Sequence, residues 1–532
     1  MPGDVLSGVQ RGIEKESLRV ARDGRLALTP HPEQLGSALT HPFITTDFCE
    51  SQLELITGVH ASVEACIREI TEIHQVVYRA LGDEVLWAAS MPCNLPGDAA
   101  IPIGRYGSSN VGRAKSVYRT GLGHRYGRRM QTISGIHYNF SLPTRLTNDD
   151  YFGLIRNFRR HSWLLLYLFG ASPAVCSTFV EGRQHQLQPL GDGTLYLPHA
   201  TSLRMGRLGY QSEAQSSLAV SYNSLHTYAA SLQEALTKSY PAYEAIGVRD
   251  GDHYRQLSTT MLQIENEFYG AIRPKRPIRS GERALHALRE RGVEYVEVRL
   301  MDLDPFVSVG IDAATMRLLD IFLLHCLLRE SPPDSPDELK AISRNKQRVA
   351  ARGREPGLLL ERGAEQVSLT DWGREVLADC APIAAALDAA WAGKDAGSRA
   401  ASGAGAADIG AQSGASAPAA AVGRDGAGHG SAHRDALSDA IGYLNDPDST
   451  PSARVLQTLA RDYGNSYVRF VLAQSLRHRD SIMALPFTEE LEHRFTGLAR
   501  GSLLKQGEIE AADSVDFETW RQEYLSPGKL EV

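Results

Sequence analysis

The sequence predicts an α+β fold built around an antiparallel sheet. Two observations carry that expectation. Strand-like stretches with period-two alternation are mixed with stretches in which apolar residues recur at spacings of three and four, as in residues 59 to 81 and 312 to 329. Strands and helices also fail to follow one another in the regular order that a doubly wound parallel sheet demands. At 532 residues the chain exceeds one compact domain, and its length allows about three units or one large core with appendages.

Hydrophobic residues make up 42% and charged residues 22% of the chain, an ordinary globular composition. Lysine and arginine number 56 against 63 acidic residues, a net charge of -7, so no global basic field attracts a phosphate backbone and no nucleic-acid partner is expected. The most apolar stretch, residues 163 to 175, is too short to span a bilayer and is broken by Gly170, Ser172 and Pro173. No membrane span or membrane partner is therefore expected. The opening MPGDVLSGVQRGIEKES has neither the basic start nor the apolar run of a secretory signal, which predicts a cytoplasmic protein. The six cysteines, at 49, 66, 93, 176, 326 and 380, show no C-x-x-C pair and no zinc spacing. Each is expected to be a small buried hydrophobe, with no obligatory disulfide in a reducing cytoplasm.

Composition divides the chain in three: a main body over 1–392, an Ala/Gly/Ser-rich stretch over 393–435, and a mainly helical remainder over 436–532. The middle stretch has too few large apolar side chains to offset the entropy of ordering, and it reads as a disordered insert.

Four segments of the main body offer chemistry. In GIEKESLRV, Glu14 and Glu16 share one face of a strand, either as a solvated charged edge or as part of a site. In ITTDF and QLELIT, Asp47 either caps a helix starting near Phe48 or joins Glu54, which sits between Leu53 and Leu55 and either faces water or meets cations. In MQTISGIHYNFS, His137, Asn139 and Ser141 alternate with Ile136, Tyr138 and Phe140, and Gln131 has the same parity if the strand runs unbroken through Gly135. In GVEYVEVR, Tyr295, Glu297 and Arg299 share a face, and the upstream cluster Arg273, Lys275 and Arg276 would suit phosphate. If these faces converge, repulsion must be answered: two like charges about 4 Å apart cost roughly 4 kcal/mol at an effective dielectric of 20. Hard oxygen ligands favour magnesium or manganese over zinc, and such a cluster usually accompanies nucleotide phosphate. No G-x-x-x-x-G-K-[ST] loop and no G-x-G-x-x-G after a strand is present, so bound ATP would be held by metals and arginines, the design of a ligase or kinase.

The stretches GVQRGIEKESLRV, GSALTHPFITTDFCESQLELIT, YGSSNVGRAKSVYRTGL, MQTISGIHYNFSLP, YLPHATSLRMGRLGY, QIENEFYGAIRPKR and GVEYVEVRLMDLDPF together closely resemble the glutamate-cysteine ligases (γ-glutamylcysteine synthetases) of the proteobacterial type, across about residues 8 to 310. The resemblance implies a glutamine synthetase or guanidino kinase-like curved antiparallel sheet forming a funnel with helices outside. It implies ATP-dependent joining of the γ-carboxylate of L-glutamate to L-cysteine through γ-glutamyl phosphate, the first step of glutathione synthesis. A related γ-glutamyl ligase using another amine is the alternative. By similarity, Glu14, Glu16, Asp47, Glu54, His137 and Glu297 would hold magnesium, and Arg299 would stabilise the transferring phosphoryl group. Arg204 would pair with substrate carboxylate, and Phe48, Tyr118, Leu122, Gln131, Tyr210 and Tyr269 would line the cysteine pocket. Product feedback by glutathione would fit the family.

Overall fold

The structure is a computed structural model that describes every residue except 210–217, 219, 280, 403–430 and 532, and of 394–402 only the backbone. Tyr210 and most of the expected insert therefore lie outside the described residues. The central element is a seven-stranded sheet formed by β1 (Gln10–Val20), β2 (Ile44–Thr46), β3 (Gln52–Ile56), β4 (Val85–Leu86), β5 (Ile136–Ser141), β6 (Ile272–Lys275) and β7 (Tyr295–Met301). The strand order is β6-β7-β5-β1-β3-β2, with β4 paired to the end of β1, and every pairing is antiparallel.

The register follows from which side chains must leave water. Ile13, Leu53, Leu55, Ile136, Tyr138, Phe140, Val296 and Val298 are all buried on one face, each worth roughly 1.5 to 3 kcal/mol over exposure. A slip of one residue would drive Glu14, Glu16, His137 and Glu297 into that core. Helices α1 (Val63–Ala80) and α3 (Asn148–Phe169) cover this apolar face, and α4 (Ala313–Leu328) packs against both. Their starts carry the expected caps: Ser62 accepts the Ala65 N–H at 3.1 Å, and Thr147 with Asp150 forms a reciprocal capping box.

Two polar groups on the apolar face are satisfied locally. Arg11 pairs with Asp320 at 3.0 Å, which also accepts from the Tyr138 hydroxyl at 2.7 Å. Lys15 Nζ lies 2.7 Å from His74 Nε2. The His74 Nδ1 faces the Ile70 carbonyl at 2.7 Å and so carries the ring proton, leaving Nε2 to accept from the lysine.

On the other side of the sheet lies α2 (Asn110–Tyr126). After the main body, α5 (Leu369–Ser402) runs through residues expected to open the insert, because alanine, which dominates 384–402, is the strongest helix former. By length and composition alone its 369–393 portion could cross a membrane. Its stripe of Leu369, Trp372, Val376, Leu377, Cys380, Ala384 and Leu387 is buried in the main core, while Asp371, Arg374, Glu375 and Asp379 lie on the same stretch, the pattern of an amphipathic core helix. Residues 432–524 form α6 (Ala432–Asn445), α7 (Pro451–Asp462), α8 (Tyr467–Met483), α9 (Glu489–Ala511) and α10 (Phe517–Tyr524). This part shares its cores with the rest: Leu437 and Leu444 join the main cluster, Val455, Leu459 and Phe470 a second, and Ile482 and Phe495 a third.

The cysteines correct one expectation. Cys93 and Cys176 are joined in a disulfide, brought together because Cys176 ends a strand whose second core also holds Cys93. Cys49, Cys66, Cys326 and Cys380 are free and buried, as expected.

Candidate active site

The face of the sheet opposite the core is polar across six strands. Because directly opposed residues of an antiparallel pair point the same way, Glu14 stands beside His137, Glu16 beside Glu54, and Glu54 beside Thr45. Arg273 stands beside Glu297, and Glu297 beside Asn139. This face is the floor of a cavity of about 780 Å³ whose lining includes Glu14, Glu16, Asp47, Phe48, Glu54, Tyr118, Leu122, Gln131, His137, Arg204, Tyr269, Arg273, Glu297 and Arg299. Of the expected site residues only Tyr210 is missing from that wall, and it lies outside the described residues.

The floor has two halves with different charge balance. In the first, Glu14, His137 and Glu297 each present a ligand atom within 4.8 Å of the other two. His137 Nδ1 lies 3.1 Å from Glu14 Oε2, and Asn139 donates to Glu14 Oε1 at 2.9 Å. Glu297 receives Lys275 at 2.9 Å, Arg299 at 3.4 Å and Arg273 at 3.8 Å. Burial raises the Glu297 carboxyl, but Lys275, Arg299 and His137 overcome it and hold it well below its ordinary range. Glu14 behaves alike: burial and Glu297 push up, while the hydrogen bond from His137 and the charge of Lys275 bring it below its usual value.

In the second half, carboxylates outnumber cations. Burial, then Asp47, pushes Glu16 up to about 8 against the pull of Arg204. Burial, then Glu14, Asp47 and Glu16, holds Glu54 well above the carboxylate range. No hydrogen-bond donor among the described residues reaches the Glu54 carboxylate. A buried carboxylate cluster that cannot ionise fully on its own, open to a cavity, is what divalent cations would complete.

Arg204 is fully buried and lies across the chain at Gly135, where a Cβ would overlap its guanidinium. It donates to the Arg299 carbonyl at 2.9 Å and lies 3.8 Å from Asp302. Glu16 accepts the Gly135 N–H at 2.7 Å, so the glycine serves two close approaches. The Arg299 guanidinium sits 5.4 Å from the Tyr269 ring centroid. The Nε atoms of Arg273 and Arg299 and the Oδ1 of Asn139 are buried with no hydrogen-bond partner among the described residues, donors and an acceptor left for a ligand.

Three local expectations are corrected. Gln131 reaches the cavity from a 3-10 turn, Arg129–Thr132, and not along β5, since the strand starts only after Gly135. Asp47 caps no helix; it begins the loop joining β2 to β3, which aims it and Phe48 at the cavity. Arg276 leaves the cluster, bonding the Gly292 and Arg291 carbonyls and pairing with Glu294, because it lies one residue past Lys275 at the end of the strand. Lys275, expected in the cationic cluster, lines the cavity, and Lys115, Arg119 and Arg125 line it without having been singled out as site residues. Arg119 and Lys115 lie one and three residues from Tyr118 on α2, a proximity that only the helix's placement turns into a wall.

A deep cavity floored by carboxylates, a histidine and arginines, with no glycine-rich phosphate loop, defines an enzyme that handles anionic substrates by charge and positioning. Residues 2–349 match the family model described as glutamate-cysteine ligase. The chain is 44% identical over 543 residues to the glutamate-cysteine ligase of Alcanivorax borkumensis, covering 98% of this chain and 96% of that protein. It is 45% identical to that of Janthinobacterium sp. (strain Marseille), covering 98% and 95%. Among solved structures, the glutamate-cysteine ligase of Francisella tularensis in complex with AMP superposes with a TM-score of 0.86 at 34% identity, covering 98% of both chains. A bifunctional glutathione synthetase from Pasteurella multocida shares the fold, with a TM-score of 0.67 at 24% identity, covering 94% of this chain and 57% of that one. The chain belongs to the glutamate-cysteine ligase family, in its proteobacterial type. Its reaction is the ATP-dependent joining of glutamate to cysteine that yields γ-glutamylcysteine, the first step of glutathione biosynthesis.

Proposed function

We propose that the cavity binds ATP, glutamate and cysteine together and works through γ-glutamyl phosphate. The observation that carries this reading is the convergence of Glu14, Glu16, Asp47, Glu54, His137 and Glu297 on one sheet face beneath Arg204, Arg273 and Arg299. The excess of carboxylate over cation around Glu16 and Glu54 fits divalent ions, and oxygen donors with one imidazole fit magnesium, with manganese as substitute. Glu14, His137 and Glu297 would hold one ion, and Glu16, Asp47 and Glu54 the others. When bound, such ions neutralise phosphate charge and template the triphosphate against the substrate.

The chain's own residues do the rest. Arg299 and Arg273 offer buried donors to phosphoryl oxygens, with Arg299 on the transferring γ-group, where losing one such partner commonly costs about 100 to 1,000-fold in rate. Arg204 pairs a substrate carboxylate through its planar fork. Phe48, Tyr118, Leu122, Gln131 and Tyr269 enclose the cysteine; Tyr210, expected in the same pocket, lies outside the described residues. The glutamate γ-carboxylate oxygen takes the γ-phosphoryl group and ADP leaves. The cysteine amine then attacks the acyl carbon, phosphate departs, and the nitrogen sheds a proton as the amide forms. That the Francisella relative was solved in complex with AMP supports a nucleotide as a ligand of this chain.

The same reading takes the sheet as the curved funnel of the glutamine synthetase and guanidino kinase type. Residues 1–392 then form the catalytic core, 393–435 an insert, and 436–532 a helical part of the same enzyme, which acts in the cytoplasm on small molecules. Glutathione, which contains the product, would compete for the two amino-acid subsites. Incubating the purified chain with ATP, magnesium, glutamate and cysteine and weighing the product tests the reading. γ-Glutamylcysteine formed in step with ADP supports it; turnover with alanine or another amine equal to that with cysteine would move the acceptor assignment to that amine.

A further inference from the structure

One buried carboxylate behind the cavity takes no part in the reaction outlined above. Asp302 directly follows the last residue of β7, the strand that carries Glu297 and Arg299. Strict alternation would put it with Val296 and Val298 on the core face. A bulge changes that. Val298 stands opposite Tyr138 and Met301 opposite Ile136, so β7 takes three steps where β5 takes two. Met301 then packs in the core, and Asp302 turns the other way, towards Arg204.

Everything that touches this carboxylate is a donor or a cation. Its Oδ2 accepts the Ala171 N–H at 2.9 Å and the Ser172 hydroxyl at 2.6 Å. Its Oδ1 accepts the Ser202 hydroxyl at 3.0 Å and lies 3.8 Å from Nη1 of Arg204. The Ser202 Oγ accepts in turn the Met205 N–H at 3.2 Å, and the Leu203 N–H donates to the Ser172 carbonyl at 2.7 Å. The turn that holds Arg204 is thus clipped, through one acid, to the end of the strand that holds Arg299. Burial raises the Asp302 carboxyl above its ordinary range, against the pull of Arg204 and of these hydrogen bonds. Three hydrogen-bond donors and a guanidinium are the surroundings of an acceptor that carries charge.

Arg204 needs such a counter-charge because a second acid pulls on it. Glu16, on the cavity floor, feels the charge of Arg204 as its strongest opposing influence after burial and Asp47 have raised it. A guanidinium that closed on Glu16 would turn its fork away from a substrate carboxylate and occupy a floor carboxylate at the same time. Asp302 lies outside the acidic set of the floor, and the side chains of both Asp302 and Arg204 are almost wholly buried. In that setting the attraction is weakly screened, and Nη2 is held as well by the Arg299 carbonyl at 2.9 Å.

We propose that Asp302 is a positioning residue: clipped by Ala171, Ser172 and Ser202, it holds the Arg204 guanidinium back from Glu16 and open to a substrate carboxylate. This rests on the reading of Arg204 given above. The test uses the full-length protein and steady-state kinetics in each of ATP, glutamate and cysteine. Asp302→Asn keeps the shape and an oxygen for the Ala171 N–H while removing the charge. It should raise the KM of one amino acid, the one whose carboxylate Arg204 pairs, by about 10-fold. The KM values of the other two substrates and kcat should stay within about threefold, as when binding common to ground and transition state is lost.

In an Arg204→Ala background Asp302→Asn should change the same KM by less than about twofold, because a residue that acts through Arg204 has nothing left to act on. Ser202→Ala removes the hydroxyl on the oxygen that faces Arg204. It should shift the same KM in the same direction by a smaller factor, and it carries the test if Asp302→Asn does not fold. Three KM values raised alike overturn the positioning role and leave Asp302 a structural acid. An unchanged or lowered KM for both amino acids overturns it too, and so does a full effect in the Arg204→Ala background. Arg204→Ala with both amino-acid KM values unchanged overturns the reading of Arg204 and the positioning role with it.

Discussion

Replacing Glu16 by glutamine is expected to stabilise the metal-free protein while removing activity. Burial, then Asp47, lifts this carboxyl from its ordinary 4.5 to about 8. At pH 7 the unfolded chain carries it ionised and the folded chain carries it protonated, so folding must take up a proton. At about 1.4 kcal/mol per pH unit between 4.5 and 7, that uptake costs roughly 3 kcal/mol. Glutamine arrives neutral and keeps an oxygen for the Gly135 N–H, so Glu16→Gln should recover about 1 to 3 kcal/mol in a chelating buffer at pH 7. The sign follows from the raised folded-state value. The contribution of Glu16 is complete below 4.5 and is lost as pH climbs through the window to about 8, so wild type should lose stability across that window faster than the variant. Magnesium should reverse the order, because a ligand that binds only the folded state stabilises it by mass action and the variant offers one carboxylate fewer. Urea unfolding in chelator and in magnesium, at intervals from pH 5 to 8, measures all of this. A variant no more stable than wild type in chelator at pH 7, or an equal magnesium shift in both, would refute the reasoning.

Glu297→Gln should behave oppositely: it leaves Lys275 and Arg299 short of a counter-charge, so a loss of about 2 to 4 kcal/mol should accompany inactivity, and a stabilised variant would contradict the charge balance described here. Arg299→Ala should lower kcat by about 100 to 1,000-fold with an unchanged circular dichroism spectrum; wild-type-like turnover would remove Arg299 from the reaction. Burial pushes Asp304 up to about 6 from 3.8, so its contribution is lost as pH rises between those values, and Asp304→Asn should flatten the melting temperature across pH 4 to 7; an unchanged slope would contradict it. Alkylating the denatured, unreduced protein should add four groups, given six cysteines and four free thiols, and six would mean that Cys93 and Cys176 are not joined.

The site was legible where local periodicity decides which way a side chain points. Glu14 and Glu16, His137 and Asn139, and Glu297 and Arg299 are each two apart in a strand whose alternate residues form the core, so packing the apolar set turns the polar set outward together. That the faces belong to one sheet was not visible from any one segment. It follows from long-range pairing between β1 and both β3 and β5. Gln131 illustrates the limit of periodicity: Gly135 ends the strand, and parity carries nothing past it. α5 runs on to Ser402, past the expected start of the insert at 393, because alanine, small as it is, is also the best helix former. Cys93 and Cys176 lie 83 residues apart, a spacing with no signature. Trp520 and Tyr524, which also line the cavity, reach it only through the docking of α10 on α2, a tertiary fact with no local trace.

The central claim is that acidic side chains from separate strands gather around divalent ions that present ATP to glutamate. Diffraction from crystals grown with manganese and a non-hydrolysable ATP analogue, recorded at the manganese absorption edge, tests it most directly. The account predicts anomalous peaks on the sheet face, one ligated by Glu14, His137 and Glu297 and at least one more by the Glu16, Asp47 and Glu54 set, with the triphosphate beside them. Manganese found only elsewhere on the protein, with those six side chains unligated in crystals that hold the nucleotide, would contradict it.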